Sequence, residues 1–131
     1  MRRELNEQNL SLTIAKVALE KHARAIEIID VTEKVDYADF VVVCSGRTER
    51  QVRAIADAIE ADLKHRGVAP LGVEGAQLGQ WILLDYGGVV VHVLQEEARD
   101  YYDIEGLWLD ARRVAVDEPR PRVSPSVQLA E

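Results

Sequence analysis

The 131-residue chain has one cysteine, Cys44, which excludes an internal disulfide and a zinc site built from cysteines. It has no apolar run near the ~18 residues that a membrane helix needs. Its start, Met1-Arg2-Arg3-Glu4-Leu5-Asn6, lacks the apolar core of an export signal. A soluble, cytoplasmic protein is the expectation. Cations are short as well: 16 Lys and Arg stand against 23 Asp and Glu, a net charge of −7. Broad, sequence-independent binding to nucleic acid needs clustered cations to neutralise phosphates, and this balance argues against it. A basic protein partner stays compatible, because complementary charge speeds encounter.

The usual motifs of small-molecule chemistry are missing too. There is no Gly-x-x-x-x-Gly-Lys-Ser/Thr, and no Gly-x-Gly-x-x-Gly opens a helix. The turn Ser45-Gly46-Arg47-Thr48 joins an apolar strand to a helix start, where amides can hold an anion. With one glycine it reads as an ordinary strand-to-helix turn. His22, His65 and His92 are far apart, and none has a second His or Cys at a ligand-like interval. His92 alternates with Val91 and Val93, which makes it a hydrogen-bonded core or interface histidine on the face of Val90 and Leu94. No Asp-x-Asp exists, and Asp85 has no acidic residue two positions away, so two-metal phosphoryl chemistry is unsupported. Neither a metal nor a cofactor is expected.

What is present describes one folded domain. The composition, 47% hydrophobic and 30% charged, is that of a chain able to build a core. Ser11 is read as the cap of a first helix, with Leu10 as a staple before it and Ile14, Val17 and Ala18 on one face. That helix fades near His22 to Arg24. A strand follows over Ala25 to Val31, then a second over Phe40 to Cys44, whose unbroken apolar character suits a central strand covered on both faces. Cys44 is accordingly a buried structural thiol.

Thr48-Glu49-Arg50-Gln51 fits a capping box. Val52, Ile55, Ala56, Ile59 and Leu63 continue from it at helical spacing, and Gly67 with Pro70 supplies the stop. Leu71 to Gly75 is a short strand or edge segment. Trp81 to Tyr86 and Val89 to Leu94, joined by Gly87-Gly88, form a two-residue hairpin. Glu96 to Arg113 returns to helix, with Gly106 as its weak point. Three of the four prolines fall beyond Asp117, the mark of a disordered tail. The expected fold is α/β (α+β), a single mixed sheet of about five strands flanked by helices. The expected parts are a flexible N-terminus over 1–9, a domain over 10–116 and the tail over 117–131.

Alternation puts Trp81, Leu83 and Asp85 on one face of the hairpin and Ile82, Leu84 and Tyr86 on the other. Helices can cover one of these faces more easily than both. An open Trp81 face would combine an aromatic, an aliphatic and a carboxylate, a plausible contact surface; a filled one would be core.

The runs Ala38 to Gly46, Arg50 to Asp57, Val73-Glu74-Gly75, Trp81 to Gly87, Val89 to Val93 and Tyr101 to Trp108 resemble the ribosomal silencing factor family, also called Iojap-related. The resemblance spans about residues 10 to 113. Gly88 stands where the family usually has Asp and Gly106 where a charged residue is common, and the tail beyond Asp117 is expected to have no family counterpart. The resemblance implies a fold like that of nucleotidyltransferases without their catalytic acids, and a translational repressor that is not an enzyme. It implies binding to the large ribosomal subunit through the ribosomal protein numbered fourteen, blocking of small-subunit joining when nutrients are scarce, and a homodimer when free. Mapped onto this chain, the partner-binding residues are Trp81, Leu83 and Asp85, with Gly75, Tyr102 and Leu107 as neighbours. The competing reading is a metal-dependent nucleotidyltransferase-like enzyme using Ser45-Gly46 for phosphate and Asp85 for metal.

Overall fold

The computed structural model describes residues 6–116; the expected tail over 117–131 lies outside them. Helix α1 (Glu7–Glu20) leads into β1 (Arg24–Asp30) and β2 (Phe40–Gly46). Helix α2 (Glu49–His65), β3 (Gly72–Glu74), β4 (Trp81–Asp85) and β5 (Val89–Gln95) follow. The chain closes with α3 (Glu96–Tyr102), a 3-10 turn (Ile104–Trp108) and β6 (Arg113–Val114). One six-stranded mixed sheet results, ordered β3-β4-β5-β2-β1-β6, in which β2 and β5 run parallel and every other pair antiparallel. The sixth strand is the two-residue β6, which pairs with Ile28 and Ile29 at the β1 edge.

The sheet has two unequal covers. Helices α1 and α2 lie on one face and bury Ile14, Ala18, Ile55, Ile59 and Leu63 against Ile28, Val42, Cys44, Leu84 and Val91. The other face carries Ile29, Val41, Val43, Val90 and Leu94, covered in part by Ile104 and Trp108 of the 3-10 turn. Strand β2 is buried along its whole length, as an apolar run between two covered faces requires. Each of its fully buried valines, Val41, Val42 and Val43, contributes about 1.5–3 kcal/mol. Cys44 is equally buried, and burial pushes its thiol up to about 12.

Helix ends follow local chemistry. Thr48 Oγ1 accepts from the Gln51 amide at 3.0 Å, but the Gln51 side chain reaches one residue further back than a capping box predicts. Its Oε1 accepts from Arg47 N–H at 2.8 Å, and its Nε2 donates to the carbonyl of His22. Gly67, at φ +85°, ends α2: its amide bonds the Lys64 carbonyl and that of Val68 bonds the Leu63 carbonyl, the paired Schellman closure.

Three expectations are corrected. Helix α1 begins at Glu7 with Asn6 as cap, so residues 7–9 are helical rather than loose. Ser11 sits inside the helix, buried, its hydroxyl donating to the Glu7 carbonyl at 2.9 Å, and Leu10 is a core residue. The span from Glu96 to Arg113 is not one helix, because Asp103 adopts a left-handed conformation at φ +46° and stops α3 after seven residues. A Cβ at Gly106 would meet the Asp103 carboxylate, the movable end of a side chain that a larger residue would have to displace.

Candidate partner-binding face

The Gly87-Gly88 turn closes as expected, with Tyr86 N–H bonded to the Val89 carbonyl at 2.9 Å and positive φ at Gly87. The register opposes Trp81 to Leu94 and Leu83 to His92. The pleat then buries Ile82 and Leu84 under the helices and leaves Trp81, Leu83 and Asp85 half-buried on the other face. The 3-10 turn covers the centre of that face; Trp81 and Leu83 flank its cluster near the sheet edge and retain exposure.

Around Trp81 the aromatic groups converge. Tyr102 lies 4.9 Å from it between ring centroids, tilted by 47°, and Tyr101 meets Tyr102 edge-on at 4.9 Å. Both tyrosines are exposed, Tyr102 by 54%. On the other side, Glu74, Gly75, Trp81 and Leu83 line an open cavity of about 310 Å³. Gly75 turns at φ +83°, and a Cβ there would collide with the Trp81 carbonyl, so only glycine lets this loop approach β4 so closely. Arg53 of α2 fastens the loop, its Nε donating to the Ala76 carbonyl at 3.1 Å and its Nη2 to that of Gln77.

His92 shares this face. The Trp81 indole N–H donates to His92 Nδ1 at 3.0 Å. Burial holds the imidazole down to about 4 against the opposing pull of the Glu105 charge, so it is neutral near pH 7.

The structure thus gathers Trp81, Leu83, Gly75 and Tyr102 and separates the other two expected residues. Asp85 stands at the far end of β4, about 13 Å along the strand at 3.3 Å per residue. Its Oδ1 accepts from Gly87 N–H at 2.8 Å, so half of the carboxylate is engaged in its own turn. Leu107, 72% exposed on the 3-10 turn, lines no part of the cavity. Glu74 and Arg53 were absent from the expected set; the periodicity of their own segments gives no hint of a contact made across the fold.

The turn weighed as a phosphate site is spoken for. Ser45 is buried, its hydroxyl donating to the Arg24 carbonyl at 3.2 Å and accepting from Arg99 Nη1 at 3.3 Å. Side chains of the chain itself occupy two amides of this turn, those of Arg47 and Gln51. Among the described residues no group of three or more His, Cys, Asp or Glu converges as metal ligands would.

The family model described as "Ribosomal silencing factor during starvation" matches residues 4–130. The chain belongs to the ribosomal silencing factor family. The match runs well beyond Asp117, which corrects the expectation that the tail has no family counterpart. Relatives in this family include the ribosomal silencing factor RsfS of Chromobacterium violaceum, 39% identical over 72% of this chain and 81% of that protein. RsfS of Bacillus subtilis is 33% identical over 86% of this chain and 96% of its own. A mouse relative, named mitochondrial assembly of ribosomal large subunit protein 1, is 30% identical over 68% of this chain and 40% of its own. The fold agrees: a crystal structure of a Chromobacterium violaceum protein superposes with a TM-score of 0.78 at 31% identity, over 90% of this chain and 98% of that one. These names describe regulatory and ribosome-related roles, with no catalytic activity among them.

Proposed function

We propose that this ribosomal silencing factor docks on the large ribosomal subunit through the face around Trp81 and blocks joining of the small subunit without chemistry of its own. The contact partner in this reading is the ribosomal protein numbered fourteen. The observation that carries it is the half-open aromatic cluster of Trp81 and Tyr102 beside the Gly75 cavity: apolar surface left open where β4 meets the exposed edge strand β3, while the centre of the sheet is covered. Aromatic anchors of this kind concentrate binding energy at interfaces. Glu74 beside Trp81, the free oxygen of Asp85 and the net charge of −7 suit a basic partner surface.

The mechanism is steric. The sheet face supplies affinity, and the helical layer behind it supplies the bulk that the small subunit meets. Translation would fall under nutrient limitation, in the cytoplasm, and a homodimer of the free chain belongs to the same reading. The test adds the protein to separated subunits and follows their joining by sedimentation. Wild type should hold subunits apart, and Trp81→Ala should weaken binding by about 2 kcal/mol or more. Undiminished co-sedimentation of Trp81→Ala with large subunits would sink the assignment of the face.

A further inference from the structure

We propose that His92 is a positioning residue for the Trp81 anchor, taking up the only donor of the indole so that Trp81 meets its partner through its ring face. This rests on the docking reading above and deepens it by naming what the anchor can recognise.

The geometry is a diagonal cross-strand pair. Leu83 stands opposite His92 in the β4–β5 register, and Trp81, two residues before Leu83 on the same face, leans across to the imidazole. The ring centroids are 5.9 Å apart and the N–H···Nδ1 distance is 3.0 Å. An indole carries one hydrogen-bond donor and no acceptor. With that donor committed, Trp81 has no polar group left for a partner. An imidazole accepting at Nδ1 must be neutral with its proton on Nε2. Burial of His92 favours that form, which keeps the bond in place near neutral pH.

Two groups therefore hold the indole: His92 through its N–H and Tyr102 against its ring. A large side chain held before binding loses less freedom on binding. Its remaining offer is apolar and π surface, with Glu74 lining the adjoining cavity. The partner group that fits is an aliphatic side chain or the flat cation of an arginine, in preference to a carbonyl or carboxylate seeking a donor.

Three variants of the full chain test this: His92→Leu, which removes the acceptor; His92→Asn, whose Oδ1 stands near the place of Nδ1; and Trp81→Ala. Solvent exchange of the Trp81 indole N–H is read by nitrogen-15 NMR, its signal assigned by its loss in Trp81→Ala. Affinity is read with purified large ribosomal subunits. Thermal melts confirm folding, and if His92→Leu does not fold, His92→Gln, which displaces the acceptor, takes its place. With one hydrogen bond lost, His92→Leu should speed indole exchange and weaken subunit binding, each by about fivefold, while His92→Asn stays near wild type in both. Unchanged exchange in His92→Leu, or equal weakening of binding by the Leu and Asn variants, overturns the proposal. If Trp81→Ala binds subunits as well as wild type, the docking reading fails and the docking role of His92 fails with it. The exchange rates then decide separately whether His92 holds the ring.

Discussion

Gly75 passes so close to the carbonyl oxygen of Trp81 that no side chain fits between them, and it does so at φ +83°. Replacing it with alanine adds left-handed strain and a collision with backbone that has no flexible end to yield. Gly75→Ala should cost about 1–3 kcal/mol in urea unfolding. Gly72→Ala is the control: its Cβ meets open space, and it should change stability by less than about 0.5 kcal/mol.

His92 sets an acid response. Its folded value of about 4 lies below the usual 6.5, so the unfolded chain binds a proton that the folded chain refuses. Stability should therefore be full above about pH 6.5 and fall by up to about 3 kcal/mol on descending to about pH 4. Urea titrations across that window check it, and His92→Leu should flatten the curve there. Asp30 acts in a separate range. The Thr32 hydroxyl and amide and the Arg112 guanidinium hold its carboxyl below 3.8, so its contribution is lost only on falling beneath that value.

Arg99 is a buried cation that ties three elements together. It pairs with Glu105 Oε2 at 2.8 Å and reaches Ser45 Oγ and the Arg24 carbonyl. Arg99→Leu leaves Glu105 without its partner in a largely buried place, where its Oε1 already has none. A loss of about 2–4 kcal/mol is expected, and the double variant Arg99→Leu/Glu105→Leu should recover part of it. A double-mutant cycle by chemical denaturation checks both statements.

Thr48 caps α2, one of the two helices that cover one face of the sheet. Thr48→Ala should lower stability by about 1 kcal/mol, whereas Thr48→Ser should be close to neutral because the accepting hydroxyl remains. Thermal unfolding of the two variants separates the cap from the methyl group.

Much of this was legible where a local pattern decides the outcome. The apolar run of β2, the spacing of Val52 to Leu63, the stop at Gly67 and the Gly87-Gly88 hairpin each depend on neighbours a few residues away. Asp103 was not legible in that way. Its span reads as helix by periodicity, yet the left-handed backbone at Asp103 breaks it, and the piece beyond the break is what covers the second face of the sheet. Half of the candidate site was visible for the same reason. Alternation alone places Trp81 and Leu83 on one face, but whether that face is open depends on how far the 3-10 turn extends over it.

By itself, then, the order of residues determined most of the elements, the shared face of Trp81 and Leu83 and the membership in a family recognised by motif. Tertiary structure alone decided which partners those side chains found. It set His92 at the N–H edge of the indole, Tyr102 against it and Arg53 across the Gly75 loop, and it kept Asp85 and Leu107 apart from the cavity. Secondary structure follows contacts within one turn or one hairpin, whereas a binding face is assembled from segments distant in the chain. Its shape depends on the packing that brings them together.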